Sequence, residues 1–360
     1  MNMAHTVVPF GPQHPVLPEP VHLKLTLEDE KVVEAIPALG YVHRGLEMLV
    51  AKRDFNQMIY VVERVCGICS CIHAMCYCEC IEKLMNIEVP PRAKYLRVIF
   101  SELHRIHSHL LWLGLFADAF GFESLFMQFW RLRERFMDIF EATAGNRVIL
   151  SVSVVGGVRR DLAPEHIAWI HKELDELEKN LRRLKPVIMD DYTVKSRTVG
   201  KGVLTGEQAL QLGAVGPTLR GSGIAEDARM LGYEAFSELH FEPVTMPDGD
   251  CWARTMVRFL EILQAADLVR QALAKLPNSE LAVKAKGNPE GEVICRTEQP
   301  RGEMYYYVKG NGTKLLSRCR IRTPTFANVP PLLAMLPGAD FADVPILVLT
   351  IDPCISCTER

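Results

Sequence analysis

The chain has 360 residues, 48% hydrophobic and 24% charged, with a formal net charge of −3. That is enough chain for a large core, as one large domain or two or three smaller ones, and the near-neutral charge leaves no footprint for nucleic acid. Eleven clustered cysteines do not read as a secreted disulfide framework, and no run of about 18 apolar residues spans a membrane. Met1-Asn2-Met3-Ala4-His5-Thr6 lacks the charged start and apolar core of a signal peptide, so a reducing cytosol is expected, with any membrane attachment through partners.

In chain order, Gly11-Pro12-Gln13-His14-Pro15 leads to Glu19-Pro20. Residues 21–27 then alternate apolar and polar, predicting a half-buried strand. Residues 31–36 are its expected hairpin partner after the Asp29-Glu30 turn. Residues 41–47 lead into a helix expected to run through residues 58–60. After Cys69 a helix is expected to about Met85, with Cys69, His73, Cys76 and Cys80 on one face. Cys71, Cys76, Cys78 and Cys80 read as small buried hydrophobes. Pro90-Pro91 opens a long helix through Leu96, Ile99, Leu103, Ile106, Leu110 and Leu113. His104, His107 and His109 do not share one narrow stripe, which argues against a three-histidine metal site. Further helices are expected at 124–144 and 163–185, with a break at 152–157.

Residues 196–224 read as Gly-rich loop with a short helix near 206–212. Gly200-Lys201-Gly202 and Arg220-Gly221-Ser222-Gly223 read as turns, because neither has the strand–loop–helix context of a phosphate cradle. A helix is expected at 250–275, strands at 303–309 and 318–323 flanking Gly310-Asn311-Gly312, and an apolar strand at 344–351 that delivers Asp352-Pro353-Cys354 inward. No repeat, low-complexity stretch or linker interrupts the chain. The expected fold is mainly α with α+β elements: one domain, residues 1–360, with a large helix-bundle core, small β elements, and N- and C-terminal segments meeting at a buried metal site.

That site is expected from two Cys-x-x-Cys pairs, Cys66/Cys69 and Cys354/Cys357. Each pair brings two sulfurs to one metal, and together they make a four-thiolate cage. Zinc modules take both halves from one short segment, whereas nearly the whole chain lies between these. On the cage alone, structural zinc and a redox or catalytic metal stand on equal terms.

Arg64-x-Cys66-Gly-x-Cys69 with Asp352-Pro-Cys354-x-x-Cys357 resembles the paired signature of the large subunit of nickel–iron hydrogenases. Arg44-Gly-x-Glu47, His73 four residues after Cys69, and Glu298-x-Pro300-Arg301-Gly302 extend the resemblance. Gly11-Pro-Gln-His14-Pro15 and Tyr41-Val-His43-Arg44-Gly are similar to the energy-converting, membrane-bound branch, the Ech and CO-induced type. They also resemble the large catalytic-arm subunit of respiratory complex I, a relative without the four cysteines. The resemblance runs from about residue 8 to 360 and implies a hydrogenase large-subunit-like fold.

It implies that Cys66 and Cys354 bind nickel terminally and that Cys69 and Cys357 bridge nickel and iron, with carbon monoxide and two cyanides on the iron. Arg301 would lie over the metals as a fixed cation supported by Asp352 and Asp118. Arg64 would assist cofactor binding, and His73 would hydrogen-bond near the iron-side cysteine. Cys354 would pass protons to Glu19. The residues alone make Glu19 a surface carboxylate between Pro18 and Pro20, and the resemblance reverses that reading. Glu47 corresponds to a residue that in some members helps hold magnesium near a terminal His. Here that stretch reads Thr358-Glu359-Arg360, which counts against magnesium.

The implied reaction is reversible cleavage of H2 to two protons and two electrons. Electrons would leave through an iron–sulfur small subunit, because no cluster-binding cysteine set remains in this chain. Further hydrophilic and ion-translocating membrane subunits would place the chain on the cytoplasmic side of the cell membrane. The readings held against this are a structural zinc protein in a redox assembly and a complex-I-like quinone-site subunit using His14 and His43.

Overall fold

The computed structural model describes residues 5–17 and 19–360; the leader reading of residues 1–4 and the Pro18 flank of Glu19 lie outside them. Strands β1 (Thr6–Phe10), β2 (His22–Glu28) and β3 (Lys31–Ala38) form an antiparallel sheet in that order. Leu23, Leu25 and Leu27 of β2 and Val32 of β3 are buried, as their alternation predicts. Asp29 and Glu30 turn the hairpin at φ 48° and 63°, the left-handed pair that a tight two-residue turn needs. Strand β1 was not anticipated: it is a largely exposed edge strand containing Pro9, so it carries little alternation.

The single helix expected to run on to residue 60 is instead two, α1 (Leu46–Val50) and α2 (Ile59–Glu63). Between them Asp54 bridges to Leu315, and the Phe55 amide donates to the Lys314 carbonyl. Pairing with a distant hairpin draws this stretch out of helix. Helices α3 (Ser70–Leu84), α4 (Pro91–Asp118) and α5 (Glu123–Ala144) follow within a residue or two of expectation. The break before the next helix is a small hairpin of β4 (Ser153–Val154) and β5 (Gly157–Val158). Helix α6 (Pro164–Met189) is amphipathic. The Gly-rich stretch holds α7 (Tyr192–Thr198), α8 (Gly206–Gln211) and α9 (Pro217–Arg220).

Helix α10 (Cys251–Ala274) packs on α4, which also packs on α5. Helix α4 is buried on nearly every side, so its charged residues need partners inside the protein. Arg97 pairs with Glu82 and Glu234, and Arg105 with Glu102. A second antiparallel sheet follows: β6 (Glu290–Gln299), β7 (Gly302–Asn311) and β8 (Leu316–Arg322). Strand β6 was missed because its first half is polar and exposed; only its second half is buried, where it packs with α3.

The chain closes with α11 (Pro324–Met335), α12 (Val344–Thr350) and α13 (Ile355–Glu359). The apolar run 344–351, expected as a strand, is helix α12. Pro345 suits its first turn, and the run packs on α10 rather than joining a sheet edge. With three sheets and thirteen α-helices among the described residues, α+β describes the architecture better than mainly α. None of the described helices is long and apolar enough to cross a membrane.

Candidate metal centre

Two turns deliver the sulfurs. Cys66 and Cys69 lie between α2 and α3, and Cys69 is the residue before the first turn of α3. Asp352, at φ 52°, bends the chain after α12. Cys354 then caps α13, its Sγ accepting the Cys357 amide at 3.4 Å. The Cys66 and Cys354 sulfurs meet at 3.2 Å, and those of Cys69 and Cys357 at 3.5 Å. All four are buried and unbridged.

Hydrogen bonds from Cys354, Cys357 and Cys69 hold the Cys66 thiol well below its usual range, and the charge of Arg301 adds to this. Burial pushes the Cys69 thiol well above it. Burial thus works against deprotonating further sulfurs of the set, a cost that a bound cation would offset.

Arg301 occupies the turn between β6 and β7, over the sulfurs in electrostatic reach of Cys354, Cys66 and Cys69. Its Nε donates to the Asp352 carbonyl and its Nη2 to Asp352 Oδ1, both at 2.8 Å. Gly216 makes room for this turn: a Cβ there would lie 2.4 Å from the Arg301 carbonyl oxygen and 2.3 Å from the Gly302 Cα. Arg301 Nη1 and Asp352 Oδ2 are buried with no hydrogen-bond partner among the described residues. An orphaned guanidinium N–H beside four soft donors fits a metal group that itself carries hydrogen-bond-accepting ligands.

His73 Nε2 lies 3.5 Å from Cys357 Sγ, and its Nδ1 lies 2.7 Å from the Tyr306 hydroxyl. Burial lowers its pKa to about 4, so the ring is neutral. A neutral ring carries one N–H; where the Tyr306 O–H donates to Nδ1, that proton lies on Nε2 and faces Cys357. Glu19 is half-buried and sits at the start of α13, where it accepts from the Ile355 amide, from the Ser356 amide at 3.3 Å and from the Ser356 hydroxyl at 2.7 Å. Its Oε1 is 4.0 Å from Cys354 Sγ.

Three expected residues stand elsewhere. Asp118 is exposed at the end of α4, and Arg301 takes Asp352 as its carboxylate partner. The other charge acting on Asp352 is Arg258 of α10, held down to about 10 by burial and lying 4.5 Å above the Trp112 ring. The Arg64 side chain is exposed and turns back to the Tyr60 carbonyl. Arg44 does the bridging instead, donating to the Arg64 and Val65 carbonyls at 2.7 Å and to the Ser356 carbonyl at 3.0 Å, so it ties the two cysteine turns together.

The Glu47 carboxylate is filled by donors: the Ile321 amide, Arg360 Nε and Arg320 Nη1, each at 2.9 Å. Magnesium, which needs oxygen ligands in an octahedron, does not fit there. Glu298, near Arg301 in sequence, does not face the sulfurs. It anchors β6 by accepting from Arg220 at 2.8 Å and the Ala228 amide at 3.0 Å, and burial raises it to about 7.

Sequence reasoning missed Tyr306, Ser356 and Arg360 as partners of the site. The Tyr305-Tyr306-Tyr307 run marked a strand but not which ring reaches inward. The remaining α3 cysteines stand apart from the four sulfurs. Cys76 donates to the Cys295 carbonyl and Cys80 to the Tyr306 carbonyl, each at 3.6 Å, and burial pushes Cys71 up to about 12. His109 pairs with Glu261 at 2.9 Å, while His104 and His107 stack on each other at 5.1 Å.

Residues 119–287 and 281–360 match the family described as the respiratory-chain NADH dehydrogenase 49 Kd subunit, and residues 44–116 match that of nickel-dependent hydrogenases. The carbon monoxide-induced hydrogenase of Rhodospirillum rubrum is 40% identical over 361 residues, covering 99% of this chain and 100% of that one. The membrane-bound hydrogenase subunit alpha of Pyrococcus furiosus is 39% identical, covering 98% and 87%. Among solved structures, a chain of the archaeal membrane-bound sulfane sulfur reductase, a respiratory membrane complex, superposes with a TM-score of 0.94 at 29% identity over 100% of each chain.

Proposed function

We propose, from the premise that this chain belongs to the large-subunit family shared by energy-converting, membrane-bound nickel–iron hydrogenases and the 49 kDa subunit of respiratory complex I, that it is the catalytic subunit of such a hydrogenase. Its reaction is the reversible conversion of H2 to two protons and two electrons. The observation that carries this reading is the meeting of the buried, unbridged sulfurs of Cys66, Cys69 and Cys357, with Cys354 Sγ 3.2 Å from Cys66, beside an arginine with an unpartnered N–H.

Cys66, Cys69, Cys354 and Cys357 would hold a nickel–iron centre of the family's type, its iron carrying carbon monoxide and cyanide. All four sulfurs would serve as its ligands, Cys66 facing Cys354 at 3.2 Å and Cys69 facing Cys357 at 3.5 Å. The bound centre supplies redox capacity and an open coordination position for hydrogen. Arg301 acts as a fixed positive charge and N–H donor, because its ion pair with Asp352 keeps it protonated against the cost of burial. His73 donates its Nε2–H toward Cys357 and lowers that sulfur's electron density.

Cys354 Sγ is the sulfur from which Glu19 takes a proton, across 4.0 Å. The Ser356 hydroxyl holds the receiving oxygen of Glu19 in place. Electrons pass to an iron–sulfur partner subunit. The chain sits peripherally on the cytoplasmic face, coupled to ion-translocating subunits; the membrane-bound complexes named for the relatives support its attachment to a membrane assembly.

A quinone-site subunit is the second reading, favoured by the 49 Kd family match. His14 and His43, which it would use, are already engaged: His14 stacks on Phe10 at 4.5 Å, and His43 Nδ1 meets the Glu359 carbonyl. Infrared spectroscopy of the purified complex, with nickel, iron and zinc quantified on the same sample, tests the proposal. Metal-bound carbon monoxide and cyanide bands with one nickel per chain are expected. Zinc without those bands, in a complex that also lacks hydrogen-dependent dye reduction, would retire the hydrogenase reading.

A further inference from the structure

The cluster around Glu47 joins three parts of the molecule that meet beside the thiolate turn. Glu47 belongs to α1, Arg320 and the Ile321 amide to β8, and Arg360 follows α13 directly. Both carboxylate oxygens of Glu47 are engaged: Oε1 accepts from Ile321 N and Arg360 Nε, and Oε2 from Arg320 Nη1, all at 2.9 Å. Glu47 and Arg360 are largely buried, with side chains 17% and 18% exposed. Burial works against the charged carboxylate, but the Ile321 amide and the two guanidinium groups outweigh it and hold the carboxyl below its ordinary range.

Arg360 makes further attachments. Its Nη1 donates to the Thr358 carbonyl at 2.8 Å, and its guanidinium carbon lies 5.4 Å over the Phe326 ring of α11. The neighbouring Glu359 accepts the Val42 amide through its side chain and meets His43 Nδ1 through its carbonyl. The far end of the helix that begins at Cys354 is thus clamped to α1, β8, α11 and the loop before α1.

A divalent cation in this position would need oxygen ligands. The groups facing Glu47 are N–H donors, two of them carrying permanent positive charge. We infer that Arg360, assisted by Arg320, takes the place of a divalent cation at Glu47. It is a positioning residue: its guanidinium neutralises the carboxylate and pins α13, and through α13 the Cys354 and Cys357 sulfurs, to the sheet without any second metal. A guanidinium is planar and charged at every accessible pH, so the arginine half of the brace depends neither on magnesium supply nor on its own protonation.

Hydrogen–deuterium exchange of the amides of residues 355–360, in the full chain within its purified complex, tests this. The readout needs no nickel, so its failure and that of the hydrogenase reading are distinguishable. In the native protein these amides are expected to keep their protection in excess chelator, and elemental analysis to find no stoichiometric magnesium. Arg360→Ala is expected to speed their exchange about tenfold, and Arg360→Lys to recover part of the loss. Should Arg360→Ala fail to assemble, Arg320→Gln, on the more open side of the cluster, is expected to give a smaller acceleration in the same amides. Magnesium that co-purifies at one per chain, with protection lost on chelation and restored by magnesium, would overturn the inference. So would unchanged exchange in Arg360→Ala, or in Arg320→Gln where only that variant assembles.

Discussion

Two sets of buried cysteines lie within a few residues of each other and behave in opposite ways. Cys71, Cys76, Cys78 and Cys80 crowd one short stretch of α3, and Cys76 and Cys80 adjoin each other and Cys295, yet both turn their thiols to backbone carbonyls, and burial holds all four protonated. Cys66 and Cys69 find their partners 288 residues away, and there sulfur faces sulfur under the charge of Arg301. Crowding along the sequence does not make a metal site. A thiol whose neighbour is a carbonyl behaves as a small apolar side chain with a weak donor. A thiol whose neighbours are other thiols and an arginine has nothing to settle its charge except a cation.

The comparison is most exposed at Cys66. Cys66→Ser is expected to bring nickel content and hydrogen-dependent dye reduction to background. Full activity in that variant would remove the distinction between the two sets. Glu19→Gln is expected to keep the metals and their infrared bands but to slow turnover by about a thousandfold, since a carboxamide cannot accept the proton. Unchanged turnover there would move the proton exit elsewhere. Arg301→Lys keeps a charge but loses the fork that engages both the carbonyl and the carboxylate of Asp352. A loss of about a hundredfold in turnover with nickel retained is expected. Equal loss of nickel and activity would make Arg301 a folding residue instead.

At the small end stands Cys76→Ser in the other set. It is expected to leave nickel content and turnover within about twofold of the native protein and to lower stability by about 1–2 kcal/mol in denaturant titration, because a more polar hydroxyl replaces a buried thiol. Nickel loss in that variant would erase the contrast between the sets. The arginine brace at Glu47 sharpens the same contrast from outside the sulfurs, since only the Cys354/Cys357 turn depends on it.

Much of this was legible before folding, and the parts that were share a physical basis. Pro91 at the head of α4, the apolar spacing along α4 and α10, and the alternation of β2 are local patterns, and helix and strand periodicity read them directly. The four sulfurs were legible because residue type and two-residue spacing settle which atoms can share a metal.

The tertiary structure decided whatever depends on a distant partner. The pairing of Asp54 and Phe55 with residues 314 and 315 split the helix after residue 45, and the 344–351 run packs as a helix on α10. Arg44 rather than Arg64 bridges the cysteine turns, and Asp118 faces solvent, because side-chain direction at the end of an element follows from what packs beside it. From its residues alone this chain determined its long helices and the two cysteine pairs whose sulfurs meet. Only folding could choose Tyr306 for His73, Asp352 over Asp118 for Arg301, and Arg360 for Glu47, because hydrogen bonds across tens to hundreds of residues leave no periodic trace in the sequence.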